Sequence, residues 1–197
     1  MKKLIVLLLV TICFCLSPAA FAAPVPKGTY TIDPRHTQII FGIRHMGLST
    51  YYGRFGKETG SLNFDPSAPE MSSLTVQIDM NALQTHVDEL DKELINSVFH
   101  AEKFPNATFT TTKIVKTGEN TGTVTGDLTL AGVTKPVTLI VTFNGGRNSP
   151  IPFQPYRIGF DATGTIKRSD FGLTKMMWSG MVSDEVNLMI QCEMERQ

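Results

Sequence analysis

Cysteine is scarce in this 197-residue chain, which contains only Cys13, Cys15 and Cys192. The first two lie in an apolar N-terminal segment, so the rest of the chain keeps one thiol and cannot form an internal disulfide. Its stability must therefore come from packing and backbone hydrogen bonds. Charge of one sign is not in excess either, with 18 basic and 18 acidic residues. That balance does not favour nucleic acid or an anionic membrane surface as a partner.

Motifs of catalysis and metal binding are also missing. The chain has no G-x-S-x-G elbow and no glycine-rich phosphate loop. Its four histidines, His36, His45, His86 and His100, form no H-x-x-x-H pattern and pair with no nearby cysteine. We therefore expect no enzymatic activity, no cofactor and no metal. A distant pairing of His36 with His45 leaves a metal site open as an alternative.

The N-terminus has the features of an export signal. Two lysines precede an apolar run over residues 4–16, shorter than the roughly 20 residues that cross a bilayer. Small side chains at Ala20 and Ala22 then form an A-x-A cleavage pattern. The sequence predicts a signal peptide over residues 1–22 and a periplasmic single domain over residues 23–197 with no membrane span. A retained anchor helix is the alternative.

Apolar and polar residues alternate with a period of two through this domain, which is typical of strands that bury one face. About eight such segments occur. Their apolar positions are Ile39, Phe41 and Ile43; Leu62 and Phe64; Leu74, Val76, Ile78 and Met80; Phe109; Val124, Leu128 and Leu130; Val137, Leu139, Val141 and Phe143; Ile158, Phe160 and Ala162; and Val186, Leu188, Ile190, Cys192 and Met194.

Proline and glycine mark the breaks between these segments. Residues 65–69 contain two prolines and are predicted to form a loop. Residues 131–136 read as a hairpin connection with Gly132 near its tip. Residues 144–155 hold two glycines and three prolines and are predicted to be an exposed loop.

One segment has helical spacing instead of alternation. Thr85 is its candidate N-cap, and Pro105 excludes helix beyond it. We expect one helix of about three turns whose apolar stripe covers an open end of the sheet. The fold prediction is all-β: an eight-stranded antiparallel lipocalin-like barrel with one short covering helix, with a β-sandwich as the alternative. The apolar stripe comprises Val87, Leu90, Leu94, Ile95, Val98 and Phe99.

Several motifs, in their order along the chain, resemble those of the YceI-like proteins. The resemblance covers nearly the whole domain and implies an exported lipocalin-like barrel with a tunnel that binds polyisoprenoids or related long-chain amphiphiles, without catalysis. The chain departs from the family at Val87–Asp91, which is more acidic than the Arg-Asp pair common there. The motifs are Tyr30–His36 with Ile39, Phe41 and His45; Gly53 and Phe55; Leu83–Thr85; Phe104–Phe109; Gly126–Val137; Arg168–Gly172; and Asp184–Val186.

A tunnel for a hydrocarbon chain needs an apolar lining and a few polar groups at its mouth. The polar head of the ligand is predicted to meet Arg168, Asp170, Lys175 and His45. A structural Arg168–Asp170 pair, and a cap on the first strand formed by the Asp33–His36 group, are the alternatives. The inward face stays undetermined, because a one-residue slip in register exchanges the faces. The predicted lining residues are Ile39, Phe41, Ile43, Phe109, Val141, Phe160, Phe171, Met176, Met177, Trp178 and Met181.

The sequence therefore predicts reversible binding, storage or transport of a long-chain isoprenoid or acyl amphiphile. Its expected partner is that lipid and not nucleic acid, and a homodimer is left open. One alternative is a ligand-free stress-response or scaffold protein whose barrel is filled by its own side chains. Another is a zinc- or haem-dependent protein.

Overall fold

The computed structural model describes residues 24–174 and 180–197, which form one antiparallel sheet of ten strands. The predicted signal peptide, and Lys175, Met176, Met177 and Trp178, lie outside the described residues. Within those ranges no helix has the length and apolar character needed to cross a membrane. The strands are β1 (Gly28–Ile32), β2 (Gln38–His45), β3 (Ser49–Phe55), β4 (Glu58–Phe64), β5 (Ser73–Asp79), β6 (Asn106–Lys116), β7 (Thr121–Leu130), β8 (Val133–Arg147), β9 (Arg157–Lys167) and β10 (Val182–Arg196).

The sheet closes on itself, because β1 pairs with both β4 and β10. The long strand β10 pairs with β2 over residues 182–191 and with β1 over residues 194–196. Strands β1 and β2 thus lie end to end as two halves of one barrel strand, and β3 and β4 form the next one in the same way. Eight strand positions result, which confirms the predicted barrel and rules out the sandwich.

The register settles which face points inward. Ile39, Phe41 and Ile43 of β2 pair directly with the apolar positions of β10, and both sets face the interior. The intervening residue Met189 is exposed on the outside. Because side chains alternate across a strand, the predicted apolar phases form the inner wall of the barrel.

Two strand boundaries differ from the sequence prediction. Ala131 and Gly132 have φ values of 49° and 80°, the positive values of a two-residue type I′ hairpin turn. Strand β8 therefore begins at Val133, inside the region predicted to be a connection. It also continues to Arg147, because a register shift between Phe143 and Gly145 lets the pairing with β9 resume. The exposed loop is accordingly shorter than residues 144–155.

The covering helix is present in a different form. Helix α1 (Asp88–Glu93) continues into a π-helical turn over Leu94–Val98. The N-cap position is Val87, so the prediction of Thr85 as N-cap is wrong. Thr85 is instead buried and donates from its backbone N and its Oγ1 to Asp91 Oδ1, at 2.7 and 2.6 Å. A carboxylate inside the helix therefore ties it to the preceding segment.

Candidate ligand-binding site

A cavity of about 880 Å³ runs through the barrel, within the roughly 300–1,000 Å³ typical of small-molecule pockets. We call it the bore. At the end covered by α1, the helix rim, His45, Arg168 and Met181 line it. At the other end, the hairpin rim, Lys116 and Glu119 line it beside the β6–β7 turn. Between the rims the wall is almost entirely apolar, because the inward phase of every strand supplies it.

Packed side chains frame the bore at both ends. Near the helix rim, Met80, Leu130 and Phe171 belong to a buried cluster on which Val98 and Phe99 pack. Toward the other end, the rings of Phe64, Phe143 and Phe160 lie 5.2–5.9 Å apart between centroids. The barrel therefore has two solid cores, and the bore passes between and beside them.

The predicted lining residues divide into three groups. Phe171 is buried in the cluster beside the bore, at the end of a 3₁₀ turn, and is not part of its lining. Met176, Met177 and Trp178 lie outside the described residues. The remaining predicted residues do line the bore: Ile39, Phe41, Ile43, Phe109, Val141, Phe160 and Met181.

The predicted head-group residues divide similarly. His45 and Arg168 line the helix rim. The Arg168 guanidinium donates to Ser183 O at 3.0 Å and to Leu173 O at 2.9 Å, so it also holds two segments of the rim together. Asp170 is exposed and lies away from the lining. Lys175 lies outside the described residues.

Sequence reasoning missed Glu58, a buried acid of the bore wall. It is fully buried, and neither carboxylate oxygen has a hydrogen-bond partner among the described residues. Burial raises the pKa of Glu58, although the nearby backbone amides of Glu58 and Ile39 offset part of that rise. A signal for it existed, because Glu58 occupies the same period-two phase as the inward residues Leu62 and Phe64.

Cys192 lies in the wall close to Glu58, which contributes to the raised pKa of the thiol. Burial is the main cause, and together these effects raise the pKa of Cys192 to about 11. Thr37 Oγ1 lies 3.7 Å from its Sγ. The thiol is therefore protonated near neutral pH and behaves as a small apolar group.

A second buried acid, Asp33, lies outside the bore and is fully paired. Its carboxylate accepts hydrogen bonds from Arg35 Nε at 3.0 Å and Arg157 Nη1 at 2.7 Å, and lies 2.7 Å from His36 Nδ1. Burial alone would raise the pKa of Asp33, but these hydrogen bonds hold it well below its usual range. The group joins the β1–β2 loop to β9, which supports the structural alternative for it.

Asp33, His36 and Glu193 also bring potential metal-ligand atoms within 4.8 Å of one another. The Arg157 guanidinium occupies the cationic position among them, with Nη1 3.2 Å from Glu193 Oε2 as well as near Asp33. An arginine side chain stays protonated at any physiological pH. The carboxylates of Asp33 and Glu193 are therefore paired with Arg157 in an ion-pair network.

Comparison with known proteins places the chain in a family. The model of the YceI-like domain matches residues 30–194. A UPF0312 protein from Yersinia enterocolitica is 42% identical over 167 residues, which cover 83% of this chain and 84% of that protein. A UPF0312 protein from Ectopseudomonas mendocina is 37% identical over 185 residues, covering 92% of this chain and 95% of that one.

Solved structures show the same architecture. BcnA from Burkholderia cenocepacia is similar with a TM-score of 0.73 and 25% identity, over 82% of this chain and 98% of that one. The YCEI protein of Campylobacter jejuni is similar with a TM-score of 0.68 and 33% identity, over 79% and 90%. A polyisoprenoid-binding domain from Saccharophagus degradans shares the fold with a TM-score of 0.64 and 19% identity, over 85% and 98%.

The match to the family model spans most of the chain, and the alignments cover 84% and 95% of the two relatives. The barrel and the motifs quoted from the sequence agree with that assignment. The chain belongs to the family of YceI-like domain proteins.

Proposed function

We propose that this protein binds a long-chain isoprenoid or acyl lipid in its bore and acts as a non-catalytic carrier or store. The observation that carries the proposal is the almost entirely apolar wall between the two rims. Burial of each methylene contributes about 0.8 kcal/mol. A long tail therefore gains useful affinity from the wall alone, after the cost of association has been met.

The polar end of the lipid is proposed to lie at the helix rim. His45 and Arg168 line that mouth, and Arg168 suits an anionic or strongly polar head. Lys175 adjoins this rim in the sequence and belongs to the same proposal, whereas the exposed carboxylate of Asp170 lies away from the lining. Phosphate and carboxylate heads would remain in contact with water there, which avoids the cost of burying a charge.

The family supports a binding role in preference to catalysis. The neighbour from Saccharophagus degradans is described as polyisoprenoid-binding, and at 19% identity it supports the fold of the carrier and not the identity of its ligand. Export to the periplasm after removal of residues 1–22 completes the proposal. There the protein would keep an insoluble lipid away from water.

The experiment compares two tryptophan substitutions at adjacent residues. Val141 faces the bore, whereas Ile140 faces outward and is 64% exposed. Phytane, a branched C20 hydrocarbon delivered from cyclodextrin, serves as the probe. Val141→Trp fills the bore and is expected to weaken phytane binding at least about tenfold, whereas Ile140→Trp leaves it unchanged. Equal effects of the two substitutions, or no binding by the unaltered protein, would overturn the proposal.

A further inference from the structure

Glu58 is a buried acid that the fold itself does not use. It opens β4 at the point where β3 ends, its side chain is 0% exposed, and it belongs to the bore wall. Both of its carboxylate oxygens lack a hydrogen-bond partner among the described residues. An unsatisfied buried polar group destabilises a fold, so its presence calls for a partner from outside the chain.

The two buried acids, Asp33 and Glu58, differ in their hydrogen-bond partners. Both acids are buried, yet Asp33 is bonded to Arg35 and Arg157, as expected of a carboxylate that holds elements together. Glu58 joins no such network within residues 24–174 and 180–197. A buried acid that is kept without structural partners at the wall of a ligand-sized cavity is better explained by a contact with the ligand.

The surroundings of Glu58 favour its neutral form. Ile78 pairs with it on β5, and the protonated thiol of Cys192 is near on β10. The backbone amides of Glu58 and Ile39 favour the charged form, but burial has the larger effect and the pKa of Glu58 is raised. The charged neighbour, Arg54, is exposed and donates from Nε and Nη2 to Gln84 Oε1 at 3.0 and 2.7 Å. Among the described residues the Glu58 carboxyl group thus forms no ion pair, and most of its neighbours are apolar, so a charge there is costly.

A neutral carboxyl group offers one O–H donor and one carbonyl acceptor. That pair matches an uncharged oxygen group such as a hydroxyl, a ketone or an amide. A phosphate or a carboxylate would carry a charge into the apolar wall, which is far more costly than burying a hydrogen-bonded neutral pair. Because the carboxylate oxygens have almost no accessible surface, contact with a ligand requires a change in the side-chain torsions of Glu58.

We propose that Glu58 determines ligand specificity by hydrogen bonding to an uncharged oxygen group of the bound lipid, so that neutral amphiphiles are preferred over hydrocarbons of the same skeleton. This inference rests on the proposed function, because it needs a lipid in the bore. It adds a polar contact within the wall, separate from the helix rim.

The test uses three probes that share one C20 skeleton: phytane, phytanol and phytanylamine. The unaltered protein is expected to bind phytanol about tenfold more tightly than phytane, the gain of a good buried hydrogen bond. Glu58→Gln keeps a neutral hydrogen-bonding group and should keep most of that preference. Glu58→Leu should bind the two probes about equally, with the affinity for phytane retained.

The matched control is Glu185→Leu, which removes the same side chain from the exposed outer face of β10, outside the bore lining, and should leave the preference unchanged. Equal binding of phytane and phytanol by the unaltered protein would overturn the inference and leave the carrier proposal intact. So would an unchanged preference for phytanol over phytane in Glu58→Leu, or a preference of the unaltered protein for phytanylamine over phytanol, which would indicate a charged Glu58. Failure to bind any probe would overturn the carrier proposal itself.

Discussion

At the scale of single residues, the two buried acids show how partners decide the role of a carboxyl group. Asp33 is held by Arg35, His36 and Arg157, so its charged form is favoured, whereas the isolation of Glu58 favours its neutral form. Asp33 with Arg35, His36 and Arg157 therefore forms an ion-pair group that holds the β1–β2 loop to β9, which we call the clamp, whereas Glu58 is a candidate ligand contact.

We predict that Asp33→Asn lowers the free energy of unfolding by about 3 kcal/mol near neutral pH, because it leaves the partly buried Arg157 without its buried carboxylate partner. Asp127→Asn is the control, since Asp127 is exposed on β7, and we expect it to change the free energy by less than about 0.5 kcal/mol. Urea unfolding measures both. A loss in Asp33→Asn no larger than that of the control would contradict the clamp.

The clamp also predicts an acid dependence. The pKa of Asp33 is lowered in the folded protein, so the stability it contributes is complete above the unfolded pKa of about 4 and is lost as the pH falls toward the folded pKa. The stability difference between the unaltered protein and Asp33→Asn should therefore shrink as the pH is lowered below about 4. A difference that stays constant or grows over that range would be inconsistent with this account.

Cys192 offers a chemical report on the bore wall. Because burial raises the pKa of its thiol to about 11, little thiolate forms near pH 8, and labelling by iodoacetamide should be on the order of 100-fold slower than for a free cysteine. A bound lipid should slow it further. Thr163→Cys in a Cys192→Ser background places a thiol on the exposed face of β9 as the control. Similar labelling rates at the two positions would show that the wall is open to water.

The residue scale is also where sequence reasoning was least complete. Apolar members of the lining were predictable, because alternation identifies one face of each strand without its neighbours. Glu58 was missed because a charged residue is normally assigned to the solvent face, although its phase matched Leu62 and Phe64. Arg35 and His36 lie beside Asp33 in the sequence and were grouped with it, whereas the third partner of its carboxylate, Arg157, was not predictable because it meets Asp33 only after the barrel closes.

At the scale of elements, strong alternation of apolar and polar residues predicted the long strands, whereas the short or polar strands were not predicted. Strand β1 has five residues, and β3 (Ser49–Phe55) carries mostly polar and aromatic side chains with no clear apolar phase. Both gain their stability from pairing with neighbours, which a local pattern does not contain. The covering helix was predicted from its stripe, but the π-helical turn and the position of Asp91 depend on tertiary contacts.

We predict that Asp91→Ala loosens the covering helix, because it removes both hydrogen bonds from buried Thr85. The expected loss is about 1–2 kcal/mol, with faster amide hydrogen exchange across α1 and faster release of bound lipid. Asp88→Ala alters an exposed acid in the first turn of the same helix and serves as the control. Exchange rates in α1 that match between the two variants would contradict the role given to Asp91.

At the scale of the whole molecule, closure of the barrel turns eight separate apolar faces into one wall. The pattern of a single strand indicates only that one face is buried. In the closed barrel, that face lines a bore that has polar residues at both rims. Repetition of one pattern made the architecture predictable from the sequence. The width of the bore was not, because it depends on how far the side chains of the two end clusters reach inward.

Native mass spectrometry of the protein purified from its own host, with organic extraction of the same sample, tests the carrier account most directly. The account predicts a bound species that adds the mass of one long-chain lipid and is recovered in the extract. A polypeptide that carries no such mass, and takes up no long-chain lipid when one is supplied, would contradict it.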